Sequence, residues 1–254
     1  MTIAITRQVG PRFAECEITH IEREPIDLQL ARRQHKAYTK ALTSLGCQII
    51  ELPAEADLPD SVFVEDTAVI LPEAAVITRP GADSRKPEIE SIVRVLTSYR
   101  PLLHITEPST MDGGDILILD KQVYVGMSSR SNTQAIRQIQ ELLDDQGYVV
   151  TGVDLHGCLH LKSAVTRVDG HTLLINKNWV DGNLFHAYEQ IEVDAAEPHA
   201  ANCLPVGNSI IFPAAFPKTR KRLEEKGFKV TSVDVSEIAK AEGAVTCCSL
   251  IIDD

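Results

Sequence analysis

No stretch of the 254-residue chain approaches the roughly 18 consecutive apolar residues that suggest a membrane-spanning helix. The opening residues, MTIAITRQVGPRFAECEITH, hold no apolar core segment and no cleavage pattern, so no secretory leader is expected there. Cysteine is scarce. There are 6, with no Cys-x-x-Cys pair, and the only close two are Cys247 and Cys248. That density excludes a disulfide scaffold and makes a reduced, cytoplasmic setting the expectation. A thiol that matters in such a chain matters through its reactivity. Positive charge is in deficit: Lys plus Arg number 25 against 36 Asp plus Glu, a net charge of −11. So acidic a balance argues against nucleic acid and anionic membrane surfaces as partners. Low-complexity tracts and long linkers are also missing, so residues 1–254 are expected to form one domain. With 44% hydrophobic residues the chain can bury a full core.

What the chain does have is a recurring α/β unit: strand, turn, strand, helix, strand. Thr67–Leu71 and Ala74–Thr78 read as a hairpin, followed by a helical pattern over Lys86–Ser98 and a strand at Leu102–Thr106. Asp115–Leu119 and Val123–Gly126 repeat the hairpin. A helix over Asn132–Gln146 follows, with Asn132 suited to cap it and Gly147 to stop it, and then a strand at Tyr148–Val153. The third hairpin, Ala164–Val168 and Thr172–Ile175, turns on Asp169-Gly170. Its helix near Asp181–Tyr188 is weak, and Ile191–Val193 is expected as its strand. The fourth unit pairs Cys203–Val206 with Ser209–Phe212, then a helix over Lys218–Lys226 and a strand at Lys229–Val233. A fifth unit closes through the termini: Val245–Ile252 with Ala4–Arg7, a helix over Leu28–Leu45 and a strand at Gln48–Leu52. A period near 45 residues points to a radial or solenoid array. An ordinary α/β domain with mixed sheets is the alternative that spacing leaves open.

The residues at the head of each unit are rich in chemistry: Glu65-Asp66, then Asp112-Gly113-Gly114-Asp115, then His160 with Leu161 and Lys162, then Asn202, then Cys247. Each has a plain structural explanation. An acidic pair is commonly a solvated turn, glycines serve bulges, and a lone His or Cys beside leucines is commonly packed. Arranged around one axis, however, these heads converge, and a thiol, an imidazole and several carboxylates share one pocket. Cysteine–histidine catalysis draws on residues that are distant in sequence in this way.

The segments that carry these residues resemble a known family. They are Asp60-Ser-Val-Phe-Val-Glu-Asp66, Ile77-Thr-Arg-Pro-Gly-Ala-Asp-Ser-Arg85, Met111-Asp-Gly-Gly-Asp-Ile116 and Ser129-Arg-Ser-Asn132. Further along come Leu159-His-Leu-Lys-Ser163, Ala200-Ala-Asn-Cys203 and Val245-Thr-Cys-Cys-Ser249. In this order they resemble the dimethylarginine dimethylaminohydrolases, guanidino-group-modifying enzymes of the pentein fold, a five-bladed α/β propeller. The resemblance implies a single catalytic domain that hydrolyses Nω-methylated arginine to citrulline and a methylamine. It implies Cys247 as nucleophile, His160 as general acid and base, and Asp112 as the carboxylate orienting His160. Glu65 and Asp66 are implied as guanidinium ligands and Asp60 as holder of the α-amino group. Arg85 and Arg130 are implied as carboxylate ligands, with Phe63 lining the pocket and Ile18 on a covering N-terminal loop. Cys248 is expected as a packed, secondary thiol. The chemistry calls for no metal and no organic cofactor, and the chain is expected as a monomer or homodimer. Two other readings stay open: hydrolysis of another guanidine or amidine such as arginine, and a non-catalytic pentein-like binding protein. Retention of Cys247, His160 and an acid at position 112 favours the enzyme.

Overall fold

A computed structural model describes residues 1–253. Its 15 strands fall into five separate three-stranded sheets, each with one antiparallel and one parallel pairing. In chain order the strands are β1 (Ile3–Arg7), β2 (Gln48–Leu52), β3 (Ala68–Ile70), β4 (Ala75–Ile77) and β5 (Leu102–His104). Next come β6 (Ile116–Leu119), β7 (Gln122–Met127), β8 (Val149–Asp154), β9 (Val165–Arg167) and β10 (Thr172–Ile175). The last five are β11 (Glu189–Glu192), β12 (Leu204–Val206), β13 (Ser209–Pro213), β14 (Lys229–Val233) and β15 (Leu250–Ile252). Four sheets run in sequence: β3-β4-β5, β6-β7-β8, β9-β10-β11 and β12-β13-β14. The fifth joins the chain ends as β15-β1-β2, with Ile3 opposite Ile252 and Gln48.

The hairpin and crossover in each blade follow from local chemistry. A two-residue turn suffices between antiparallel strands, whereas the parallel third strand needs a longer return. Four of those returns contain an α-helix: α1 (Leu28–Ser44), α2 (Ile89–Leu96), α3 (Thr133–Leu143) and α5 (Pro217–Glu225), while α4 (Leu161–Ala164) and α6 (Ser236–Ala239) are single turns elsewhere. Asn132 caps α3 as expected, its side chain accepting from the Ala135 N–H at 3.0 Å. Asp27 caps α1 in the same way. Ala135, Ile139 and Leu143 form the buried stripe of α3 against the sheet it follows.

The third blade departs from the expected helix. Its return is a short 3-10 turn, Gly182–Phe185, and its strand starts at Glu189 rather than Ile191. The segment lacks a helical apolar stripe, and Phe185 alone carries it into the core. The fifth blade is also corrected: β15 occupies only the last three residues of the expected strand Val245–Ile252. Its first residues turn instead, with the Ser249 N–H bonded to the Thr246 carbonyl at 3.3 Å. The first strands of all five blades line one central cavity of about 470 Å³. The blade heads therefore meet around a common axis, which decides for the ring over an ordinary mixed sheet.

Candidate active site

Most blade heads are turns rather than strand starts. Glu65 and Asp66 lie in a 3-10 turn, Val64–Thr67, and Gly113–Asp115 form another ahead of β6. In a strand, adjacent side chains point to opposite faces. The turn removes that constraint. The Glu65 N–H also bonds the Cys247 carbonyl at 3.2 Å, which ties the acidic pair to the thiol segment. Gly113 and Gly114 are needed by close approach. A Cβ at Gly113 would collide with the Glu65 carbonyl, and one at Gly114 would come within 2.6 Å of His160 Nδ1.

His160 is the hub. Its Nε2 lies 3.1 Å from Asp112 Oδ2, and its Nδ1 lies 4.0 Å from Asp66 Oδ1. Asp112 is itself fixed, because Oδ1 accepts the Gly81 N–H at 2.8 Å and its own N–H donates to Ser131. Burial pulls the imidazole pKa down, but Asp66, Asp115 and Asp112 together outweigh it and hold the group up at about 9. The surrounding carboxylates thus favour the protonated, charged form of the imidazole. Asp115 anchors α4 directly after His160, accepting the Leu161 N–H at 3.1 Å and hydroxyls from Ser128 and Ser131.

Asp66 faces the other way as well. Burial pushes its carboxyl up, yet His160, the 2.6 Å ion pair with Arg85 and the Gly114 N–H leave it below the ordinary carboxylate range. Asp66, Asp112 and His160 bring donor atoms within 4.8 Å of one another, ligand types that suit a cation. Here Arg85 already supplies positive charge to that knot. Glu65 is held by Lys162 Nζ at 2.7 Å and Thr246 Oγ1 at 2.7 Å. Cys247 is partly exposed, and its Sγ receives the Ala244 N–H at 3.4 Å. Burial, then Glu65 and Asp66, drive its thiol pKa well above the usual value.

A second group forms the other part of the site. Asp60 is buried and accepts the Glu17 N–H at 3.1 Å. Arg130 is 7% exposed, its Nη2 bonds Thr19 Oγ1 at 3.2 Å, and its Nη1 is buried without any partner. An unpaired buried guanidinium nitrogen is costly and marks a place for an anion. Ile18 lies between these loop contacts and packs on the core cluster that contains Phe63. Phe63 is buried, edge-on to Phe13 at 5.8 Å.

Arg85 differs from the expectation that it meets a substrate carboxylate. Its Nε and Nη2 hold Glu88, its Nη1 holds Asp66, and Nη2 also bonds the Phe63 carbonyl at 3.1 Å. With its fork committed to buried acids, it braces Asp66 and Glu88, and of these two arginines it is Arg130 that has a nitrogen to spare. Sequence reasoning assigned no role to Lys162, Thr246 or Ser131. Lysine next to the histidine was visible, but nothing in its spacing told that it would reach Glu65 from another blade.

Nearly the whole chain is also similar to proteins of one family. The profile of the family described as "N,N dimethylarginine dimethylhydrolase, eukaryotic" matches residues 17–252. The N(G),N(G)-dimethylarginine dimethylaminohydrolase of Pseudomonas aeruginosa is 37% identical over 226 residues, covering 88% of this chain and 89% of that one. Its namesake in Streptomyces coelicolor is 36% identical over 250 residues, covering 97% and 95%. A solved Pseudomonas aeruginosa structure, a cysteine-to-serine variant with citrulline, superposes with a TM-score of 0.94 at 34% identity over 98% of both chains. The expected pentein architecture holds, and the chain is a member of the dimethylarginine dimethylaminohydrolase family of enzymes.

Proposed function

We propose that this single catalytic domain hydrolyses Nω-methylated arginine to citrulline and a methylamine through a covalent S-alkylthiouronium on Cys247. One observation carries the reading. A thiol and an imidazolium–aspartate pair sit with two buried carboxylates, and a loop-covered acid and arginine complete the site. The first set suits a guanidinium, and the second suits the α-amino and α-carboxylate groups of an amino acid. Citrulline in the solved Pseudomonas aeruginosa relative supports the same product class.

A guanidinium carbon is a weak electrophile. Glu65 and Asp66 would pair its N–H groups and hold the carbon against Cys247 Sγ, so attack becomes an oriented, unimolecular step. The attack forms a C–S bond and a tetrahedral adduct. His160 donates its proton to the departing nitrogen, the C–N bond breaks, and the neutral amine leaves. A cavity of about 290 Å³ is lined by Leu159, which precedes His160, by Ala244, whose N–H meets Cys247 Sγ, and by Ile21 of the N-terminal loop. His160 then takes a proton from water, which attacks the same carbon, and collapse breaks the C–S bond to give the ureido product and free Cys247. Asp112 keeps the imidazole oriented through both transfers.

The assay is citrulline release from asymmetric dimethylarginine, monomethylarginine and arginine, with a chelator present. Turnover of the methylated substrates is expected. Turnover of arginine alone would keep the mechanism and move the substrate, and no turnover of any guanidine by folded, reduced protein would sink the proposal.

Substrate should also ionise its own nucleophile. Burial and the Glu65 and Asp66 charges raise the Cys247 pKa, and a bound cation offsets those charges and brings it down. The rate of Cys247 alkylation by a small neutral reagent should therefore rise only at alkaline pH in free enzyme. A saturating guanidinium ligand should move that midpoint to lower pH, and an unmoved midpoint would refute substrate-assisted ionisation.

A further inference from the structure

We propose that Glu242 is the positioning residue that keeps the covering loop closed while substrate occupies the site. The inference deepens the proposed function and rests on it for the identity of the ligand groups. The loop has several side-chain fasteners near the pocket. The Glu17 N–H donates to Asp60, and Thr19 Oγ1 accepts from Arg130 Nη2. The Thr19 N–H donates to Glu242 Oε2 and the His20 N–H to Glu242 Oε1, both at 2.6 Å.

The first two fasteners belong to the amino-acid end of the site. An α-ammonium group arriving at Asp60 competes with the Glu17 N–H. An α-carboxylate gripping Arg130 through two oxygens takes the idle Nη1 and competes with the Thr19 hydroxyl for Nη2. Substrate therefore draws on the same Asp60 and Arg130 groups that hold the loop, which leaves the Ser84 hydroxyl on Glu17 Oε1 at 2.7 Å and the Glu242 carboxylate as the holds it does not touch. Glu242 stands outside that competition. Its carboxylate takes two neighbouring backbone N–H groups in charge-assisted hydrogen bonds, which are stronger than neutral ones.

The backbone at Glu242 shows what this placement demands. Its φ is +57°, and Asp120 is the only other non-glycine residue with positive φ among those described. That conformation is disfavoured for a side chain with a Cβ, and it persists where surrounding contacts determine it. The turn is fixed by the Glu242 N–H on the Ala239 carbonyl at 3.0 Å and the Gly243 N–H on the Ile238 carbonyl at 3.1 Å. Gly243 then abuts the Phe63 ring, and the Ala244 N–H reaches Cys247 Sγ. One short turn thus links the loop clasp, the pocket wall and the nucleophile.

A clasp that acts equally on bound substrate and on the transition state changes KM and leaves kcat nearly untouched. The test compares Glu242→Ala, Glu242→Gly and Glu242→Gln in the full chain, by amide hydrogen exchange at Thr19 and His20 and by steady-state kinetics. Two lost charge-assisted bonds should speed exchange at both amides by about tenfold or more and raise KM by about tenfold or more. The kcat should stay within about threefold. Glutamine keeps one acceptor oxygen and should fall between alanine and wild type. Glycine tolerates the positive φ, so it separates carboxylate from backbone strain. If Glu242→Gly behaves like wild type, the strain and not the clasp matters, and the proposal falls. Unchanged exchange in Glu242→Ala, or a loss confined to kcat, overturns it as well. The exchange comparison needs no turnover, so it judges the clasp even if the wild type proves inactive on methylated arginines, a failure that belongs to the functional reading.

Discussion

Replacing Cys247 with alanine should lower citrulline formation by about 10⁴-fold or more, the scale seen when a nucleophile is deleted from a catalytic set that works as a unit. Ligand binding should survive, because the groups proposed to hold substrate, Glu65, Asp66, Asp60 and Arg130, are untouched. Equilibrium binding of citrulline or a methylated arginine is therefore the control. In wild type, rapid acid quench during turnover should trap a substrate-derived mass on the peptide holding Cys247, and the variant should show none. The neighbouring thiol makes the contrast sharp. Cys248 is 2% exposed and packs into the core cluster, with its Sγ directed to the Ala244 carbonyl. Burial drives its pKa well up, so it stays a thiol. Cys248→Ala should keep kcat within about tenfold and cost stability by the packing it loses. Equal loss from both substitutions would mean that the segment's shape, and not the Cys247 sulfur, carries the effect.

The legible part of this molecule was its period. Five hairpins with a returning parallel strand could be read because turns such as Asp169-Gly170 and stops such as Gly147 and Gly227 are strong local signals. The third return was not legible, since Gly182–Phe185 has too little apolar periodicity to announce either helix or turn. The start of β15 was misplaced for a related reason. Val245-Thr-Cys-Cys is β-rich by composition, and it turns because Thr246 is bonded to Asn202 and Glu65 from other blades. Within the site, spacing exposed the unit heads, and the family resemblance supplied their roles. Long-range pairing stayed hidden. That Lys162 closes on Glu65 and Arg85 on Glu88 as well as Asp66 depends on which donors remain free after folding, a matter of three-dimensional accounting. The same accounting found Arg130 with an idle nitrogen and Glu242 clasping the loop, neither of which has a sequence motif.

Asp66→Asn should damage both activity and stability, because one carboxylate serves His160, a buried arginine and, in the proposed function, the substrate guanidinium. The introduced amide would keep the size but lose the charge, and its NH₂ group would face Arg85 or Gly114 with a donor where an acceptor is required. Arg85, 4% exposed, would retain only Glu88 as an ionic partner. Breaking a buried pair on one side costs about 3–5 kcal/mol, so the urea midpoint should fall clearly. The sign with pH follows from the depressed carboxyl of Asp66. Its contribution is complete above the ordinary carboxylate range and is lost as pH falls through the lowered value, so wild type and variant should differ most near neutrality and converge in strong acid. Activity should fall by about 10³-fold, from the loss of a guanidinium ligand and of charge stabilisation around the adduct. The remaining rate carries a further signature. Asp66 heads the carboxylates that hold His160 up at about 9. Without it, the loss of the acid form on the alkaline side of the kcat profile should set in at lower pH. A variant that is destabilised but keeps the wild-type alkaline limb would leave Asp66 as a structural partner of Arg85 and remove it from the control of His160.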